Sequence, residues 1–165
     1  MDDTRLDRLL DDHGSALLAF LTYRTGDRDV AEDLLADTME RAIRARRRFD
    51  PRKASERTWL TTIALNAWRD HERRRATEAR HLPSLADRNA GGDFVDALLE
   101  RDRVNAALAQ LPPDEREALA LVYGADLTQR DAATALGVKL TTVQGRVYRG
   151  LKQLRETLEQ DPPGG

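Results

Sequence analysis

Residues 127–154, LTQRDAATALGVKLTTVQGRVYRGLKQL, carry the signals for two helices separated by a short turn. Thr128 is a favourable N-cap for the first helix, and Asp131 at the third helical position can complete a capping box. Gly137 supplies the left-handed residue that commonly ends a helix. Small alanines in the first helix allow the second to cross it closely. The stretch therefore predicts a helix-turn-helix whose second helix enters the major groove of DNA.

The second helix of this pair has one apolar and one polar face. Gln144 and Tyr148 lie one turn apart near its N-terminus, where base edges are within reach. Arg146 and Arg149 flank them and are long enough to reach phosphates. An ordinary amphipathic hairpin with a solvated basic face would show the same pattern, so the pattern alone leaves both interpretations open. The apolar stripe that predicts the inward face consists of Val143, Val147, Leu151, Leu154 and Leu158.

A second segment that combines packing and basic residues lies at 58–75, TWLTTIALNAWRDHERRR. Apolar residues at helical spacing predict its packing stripe, and both tryptophans of the chain are predicted to belong to the core. Asn66, Arg69 and Arg73 recur on another face, followed by Arg74. Asparagine and arginine suit base edges and phosphates. Arginines at a helix C-terminus also favour the helix dipole, so the basic end requires no ligand.

The charge of the chain is strongly segregated although its net value is only −2. Residues 1–39 hold 4 basic and 10 acidic side chains, whereas residues 40–80 hold 13 basic and 6 acidic ones. Residues 81–127 are acidic again, and the remainder is weakly basic. A dense basic block is most often a solvated face, but two separate blocks in an acidic chain raise the odds of polyanion binding, so the charge pattern leaves both interpretations open.

Several function classes are excluded by what the chain lacks. It has no cysteine, and its three histidines show no metal-ligand spacing. It has no phosphate-cradling glycine loop and no nucleophile motif, so we predict no metal site, no cofactor and no enzymatic activity. The N-terminus is acidic, unlike a signal peptide, and no apolar run approaches the roughly 20 residues that span a bilayer. A cytoplasmic protein without membrane insertion is expected.

Helical periodicity without any convincing strand predicts an all-α chain of two small helical domains. Gly26 is expected to end a first helix and Asp29 to open a second. Proline, paired glycines and lost periodicity at 81–93 predict a flexible linker. The predicted organisation is a first domain over 1–80, the linker 81–93, a helix-turn-helix domain over 94–160 and a disordered tail over 161–165.

Three segments in this order resemble one family, the extracytoplasmic-function (ECF) sigma factors of the sigma-70 family of bacterial RNA polymerase. AEDLLADTMERA (31–42) is similar to the segment by which such factors grip the clamp helices of the polymerase β′ subunit. TWLTTIALNAWRDHERRR (58–75) is similar to their −10 reading helix. LPPDEREALALVYGADLTQRDAATALGVKLTTVQGRVYRGLKQLRETL (111–158) resembles their −35 reading domain.

The resemblance implies that the chain binds core RNA polymerase, through the β′ clamp helices and the β flap, and directs initiation at promoters. One non-template base would flip into a pocket formed by the loop FDPRKASERT (49–58) and the start of the next helix. An anti-sigma factor is a further expected partner. The implied −10 contacts are Asn66, Arg69, Arg73 and Arg74, and the −35 contacts are Gln144, Arg146, Tyr148 and Arg149. The implied polymerase contacts are Asp33, Leu34, Asp37, Thr38 and Arg41.

Four positions depart from the usual family pattern. Ala36 stands where the family usually has Gln, and Met39 where it has Phe. Gln144 and Gly145 replace a usual Lys-Ser pair in the recognition helix, which removes donors and predicts an unusual promoter preference. These departures motivate an alternative hypothesis, a sigma-like decoy that binds an anti-sigma factor without initiating transcription. A plain helix-turn-helix regulator would leave residues 1–80 unexplained.

Overall fold

The computed structural model describes residues 3–79 and 103–160, apart from residue 105. Every regular element in these ranges is a helix, which confirms the predicted all-α fold class. The predicted linker at 81–93 and the predicted tail at 161–165 lie outside the described residues.

The amino-terminal helices are α1 (Asp3–Thr25), α2 (Arg28–Ala45) and α3 (Glu56–Ala79), with a 3-10 turn at Arg46–Arg48. Gly26 has a φ of 69°, the left-handed backbone that suits glycine, and its N–H donates to the Thr22 carbonyl at 2.8 Å. The N-cap of α2 is Asp27, whose carboxylate accepts from the N–H groups of Asp29 and Val30. The expectation that Asp29 opens α2 was therefore wrong by two residues, because the aspartate nearer the turn holds the cap.

The carboxy-terminal helices begin with α4, of which residues 103–104 and 106–109 are described. They continue as α5 (Pro113–Leu119), a π-helical turn (Ala120–Gly124), α6 (Gln129–Leu136) and α7 (Leu140–Gln160). The last two form the predicted helix-turn-helix. Thr128 accepts from the Asp131 N–H at 3.0 Å, and Gly137 ends α6 with a φ of 68°. The local sequence was thus sufficient to predict where α6 begins and ends.

The amino-terminal core lies where α1, α2 and α3 meet. Both tryptophans pack against it with part of each ring exposed: Trp59 contacts Phe49 with ring centroids 4.9 Å apart, and Trp68 lies under the Arg24 guanidinium, 4.0 Å from its ring centroid. The fully buried large side chains of this core are Leu17, Phe20, Leu21, Leu60 and Leu65.

The carboxy-terminal core packs α7 across α5 and α6. Val143 and Val147 are buried, as the apolar stripe of α7 predicted, together with the alanines of α6. Gly150 is also buried, and a Cβ built there would lie 3.0 Å from Cδ1 of Leu119 on α5. The absence of a side chain at Gly150 therefore lets the two helices approach closely.

The two groups of helices pack against each other along one side of α1 and α3. The π-helical turn contacts α1, where a Cβ at Gly124 would lie 3.5 Å from the Phe20 backbone. Helix α6 contacts α3. Helix α7 packs on α5 and α6, which leaves its polar face open to solvent.

Candidate nucleic-acid interfaces

Of the four predicted −35 residues on α7, three are exposed, whereas the side chain of Arg146 is only 19% exposed. We call Gln144, Arg146, Tyr148 and Arg149 the α7 face. Gln144 is exposed, and Tyr148 is 69% exposed with no core contact to explain an aromatic there. Arg146 lies 3.6 Å from Asp114 and Arg149 lies 3.2 Å from Glu115, both on α5. The neutral side chains are thus exposed beside two arginines, which carboxylates of α5 hold on one flank of α7.

The guanidinium group of Arg149 also accounts for a departure in the sequence. A Cβ built at Gly145 would lie 3.0 Å from Nη1 of Arg149, so the arginine occupies space that the missing side chain leaves open. The resulting arrangement brings a cation close to the α7 backbone beside Gln144.

Helix α3 places Asn66, Arg69 and Arg73 on its outward side, which we call the α3 face. All three are exposed, while the opposite side of the helix buries Leu60, Ala64 and Ala67. The spacing of one helical turn brings these three residues together, as predicted.

Asp70 joins the α3 face to α2. Its carboxylate accepts from Arg41 on α2 at 2.8 Å and also from Arg73. The hydrogen bond from Arg41, followed by the one from Arg73, lowers the pKa of Asp70, and the same bond raises the pKa of Arg41. Arg41 is further paired with Asp37 at 3.1 Å. Arg41 therefore fixes the packing of α2 on α3.

Arg74 does not belong to the α3 face in space. It lines a groove of about 330 Å³ between α2 and α3, which we call the α2–α3 groove, with Asp33, Asp37 and Arg41. Its other lining residues are Val30, Leu34 and His71. An arginine predicted to contact the −10 element thus lies among four residues predicted to contact polymerase.

Two of the predicted polymerase contacts lie inside the helix packing. Thr38 is fully buried and donates its hydroxyl hydrogen to the Leu34 carbonyl at 2.7 Å, and Leu34 itself is nearly buried. Met39 is buried too, so its departure from the family's Phe changes the core, whereas Ala36 is exposed and removes an amide from the surface.

Some functional contacts that the sequence does not indicate join residues far apart in the chain. Arg69 of the α3 face donates to Glu117 of α5 at 2.7 Å, and Arg24 lies near the same carboxylate. Burial lowers the pKa of Arg24 to about 10, while Glu117 raises it. No periodicity within one helix could indicate these contacts, because they join segments on opposite sides of the predicted linker.

Two further properties concern the described part of the chain. Within it, no helix is both long enough and apolar enough to cross a bilayer. Among the same residues, no group of three or more histidine and carboxylate side chains is placed to hold a metal ion.

Comparison with known proteins gives matches over most of the chain. Residues 9–78 match Sigma-70 region 2, and residues 101–154 match Sigma-70, region 4. The ECF RNA polymerase sigma factor EcfG of Rhodopseudomonas palustris is 35% identical over 147 residues, covering 88% of this chain and 81% of the relative. The ECF RNA polymerase sigma factor SigL of Mycobacterium tuberculosis is 30% identical over 157 residues, covering 92% and 88%.

Two solved structures have a similar fold over nearly the whole chain. One is CnrH in complex with the cytosolic domain of CnrY, with a TM-score of 0.75, 28% identity, and coverage of 98% of this chain and 92% of that one. The other is the sigma factor RpoE in complex with the anti-sigma factor NepR from Bartonella quintana, with a TM-score of 0.71, 28% identity, and coverage of 96% and 97%.

Proposed function

The chain belongs to the ECF sigma factors of bacterial RNA polymerase, and from this membership we propose how its helices divide the work of promoter recognition. As a sigma factor it binds core RNA polymerase and directs initiation at promoters that carry −10 and −35 elements. It is a transcription initiation factor, and we assign it no catalytic residue. Its work on the bacterial chromosome is in the cytoplasm.

The α7 face is the proposed reader of the −35 duplex. The observation that carries this proposal is the pair of neutral, exposed side chains, Gln144 and Tyr148, beside two arginines on the flank of α7 that faces α5. Glutamine can bond base edges in the major groove, and the two neighbouring arginines suit phosphates. Arg146 and Arg149 would exchange their α5 carboxylates for phosphate oxygens, which accept comparable charge-assisted hydrogen bonds.

The α3 face is the proposed −10 reader. Asn66 can contact a base edge, while Arg69 and Arg73 can bind the backbone of the separated strand. The loop from Phe49 to Ser55 precedes α3, and its start is held by the contact of Phe49 with Trp59. A base that leaves the duplex loses its stacking energy. A loop beside the α3 face that receives such a base would offset part of this cost and so favour strand separation.

The α2–α3 groove is the proposed polymerase site. Asp33 and Asp37 line it on α2, and Arg74 lines it from α3. We therefore place Arg74 with the polymerase contacts and keep Arg73 with the DNA contacts. Thr38 would act through the packing of α2, because its side chain is fully buried.

An anti-sigma factor is the proposed regulatory partner. One of the two similar solved structures is a sigma factor bound to an anti-sigma factor, and this chain covers 97% of that sigma factor. Such a partner would hold the sigma factor away from polymerase until a signal releases it.

Transcription by reconstituted holoenzyme on a genomic promoter library tests the main proposal. The wild-type chain is expected to give transcripts from a subset of promoters. A chain that binds core polymerase and yields no transcript on any promoter would contradict it and support the decoy hypothesis.

Two neighbouring arginines test the division between DNA and polymerase. Arg73→Ala is expected to leave affinity for core polymerase unchanged and to weaken promoter melting, whereas Arg74→Ala is expected to lower affinity for core. Each variant serves as the matched control for the other, since both remove the same cation from adjacent positions of α3. Equal effects of both on core binding would contradict the division.

A further inference from the structure

Helix α5 presents a carboxylate to the α3 face. Nη2 of Arg69 donates to Oε1 of Glu117 at 2.7 Å, and the Glu117 side chain is only 12% exposed. A second ion pair lies along the same boundary, where Nη1 of Arg57 is 3.6 Å from the carboxylate of Asp126. Both bridges join α3 to the carboxy-terminal helices, so we call these four residues the inter-helix seam.

Glu117 serves a second cation at the seam. Arg24 of α1 is largely buried over the Trp68 ring, and Glu117 is its strongest opposite charge. Burial lowers the pKa of Arg24 to about 10, because the protein solvates the charged guanidinium less well than water does. Removing the Glu117 charge would therefore affect both Arg24 and Arg69.

The packing at the seam leaves hydrogen-bond donors unsatisfied. Nε and Nη1 of Arg24 and Nε1 of Trp68 are buried without a hydrogen-bond partner. Each buried donor without a partner costs free energy that water would return if the seam opened. The boundary between the two groups of helices thus combines ion pairs with buried donors that have no hydrogen-bond partner.

Arg69, the arginine that Glu117 binds on α3, is also one of the proposed −10 contacts. Arg69 shares the α3 face with Asn66 and Arg73, and a guanidinium binds carboxylate and phosphate with the same donors. A guanidinium group in contact with Glu117 has fewer free donors for a phosphate, and α5 stands beside the face that the strand would approach.

We infer that Glu117 is an autoinhibitory clasp, which holds Arg69 in place of a DNA phosphate and keeps the carboxy-terminal helices closed against the edge of the α3 face. The inference rests on the proposed −10 function of that face. DNA or polymerase opens the clasp by offering Arg69 a phosphate or by drawing the two groups of helices apart. In the free protein the clasp lowers affinity for DNA.

The first test measures binding of a fluorescein-labelled, mixed-sequence 20-nucleotide single strand to the full chain by anisotropy. Glu117→Gln keeps the shape of the side chain and removes its charge, and we expect about fivefold tighter binding, which corresponds to about 1 kcal/mol. The gain should disappear when Arg69→Ala is added. Unchanged affinity, or a gain that persists without Arg69, would overturn the clasp.

The second test measures opening directly. The chain has no cysteine, so Ser15→Cys on α1 and Glu156→Cys on α7 provide two specific sites for a fluorophore pair. We expect Glu117→Gln to increase the separation of the dyes. Glu115→Gln is the matched control, because Glu115 is equally buried on the same helix but pairs with Arg149 of α7. An equal change in both variants would overturn the inference.

Asp126→Asn keeps the experiment decisive if Glu117→Gln folds poorly. Asp126 is exposed on a loop and has a φ of 58°, a left-handed conformation that asparagine also tolerates. Loss of the Asp126 charge should also increase the separation of the two dyes, by a smaller amount than Glu117→Gln does. Transcription by the wild-type holoenzyme separates the two proposals. If wild type gives transcripts but the variants change neither the dye separation nor the affinity for single-stranded DNA, only the clasp is rejected. If wild type gives no transcript on any promoter, the proposed −10 function is rejected as well.

Discussion

Alanine at Gly145 and alanine at Gly150 are expected to change stability in opposite directions, although both glycines lie within α7. In a helix interior, Gly→Ala stabilises by about 1 kcal/mol because alanine loses less backbone entropy on folding. At Gly145 the new methyl meets Nη1 of Arg149 at 3.0 Å, the far end of an exposed side chain that can turn aside at little cost. Gly145→Ala should therefore stabilise by nearly the full amount.

At Gly150 the new methyl meets a different neighbour. Cδ1 of Leu119 lies at 3.0 Å and its Cγ at 3.3 Å, and Leu119 is almost completely buried between α5 and α7. Forcing a methyl into a packed contact typically costs about 1–3 kcal/mol. A central cost of about 2 kcal/mol exceeds the helical gain of about 1 kcal/mol, so Gly150→Ala should destabilise by about 1 kcal/mol.

Urea unfolding followed by circular dichroism at 222 nm measures both changes, and a difference of about 2 kcal/mol between the variants is expected. Gly145→Ala is the internal control for helix propensity, since only the packing differs between the sites. Equal stabilisation by the two substitutions would refute the reasoning, because it would show that α5 and α7 have room for a methyl between them. The same Gly145→Ala protein also tests whether displacing the guanidinium of Arg149 changes −35 affinity in the holoenzyme.

Three other changes are expected to have distinct signatures. In holoenzyme titrations, Gln144→Ala should lower promoter affinity by about 1–3 kcal/mol on preferred −35 sequences only. Arg149→Ala should instead lower the affinity for every sequence and reduce the salt dependence of binding. Identical affinity profiles of the two variants across a panel of sequences would contradict these roles. Asp70→Asn should cost about 1 kcal/mol in urea unfolding at neutral pH, because the carboxylate is partly exposed and solvent screens its pair with Arg41. Since the hydrogen bond from Arg41 lowers the pKa of Asp70, this advantage of wild type should be present above about pH 4 and be lost as pH falls through the lowered pKa; a difference that persists at pH 2 would contradict it. Thr128→Ala removes the N-cap of α6 and should lower the free energy of unfolding by about 1 kcal/mol, seen as a lower urea midpoint.

The boundaries of the helix-turn-helix could be predicted because local chemistry decides them. Thr128 caps α6 through a bond that spans three residues, and Gly137 ends it through its own backbone preference. The start of α2 was misplaced because Asp27 and Asp29 are both good capping residues. Only the geometry of the turn after Gly26 decides which carboxylate reaches the free N–H groups.

The sequence also determined which side of each reading helix faces outward. Helical periodicity separates Asn66, Arg69 and Arg73 from the apolar stripe of α3, and it separates Gln144 and Tyr148 from that of α7. The order of its segments was enough to indicate the ECF sigma factor family.

What the tertiary structure alone decided is the partner of each charged side chain. It places Arg74 in the α2–α3 groove, buries Thr38, and brings Glu117 to Arg69 across 48 positions of the sequence. The reason is physical: periodicity depends on neighbours one turn apart, whereas the partner of a long guanidinium depends on which helices pack beside it. That packing is set by the summed burial of Phe20, Leu65 and the other core residues, and no short stretch of sequence contains that sum.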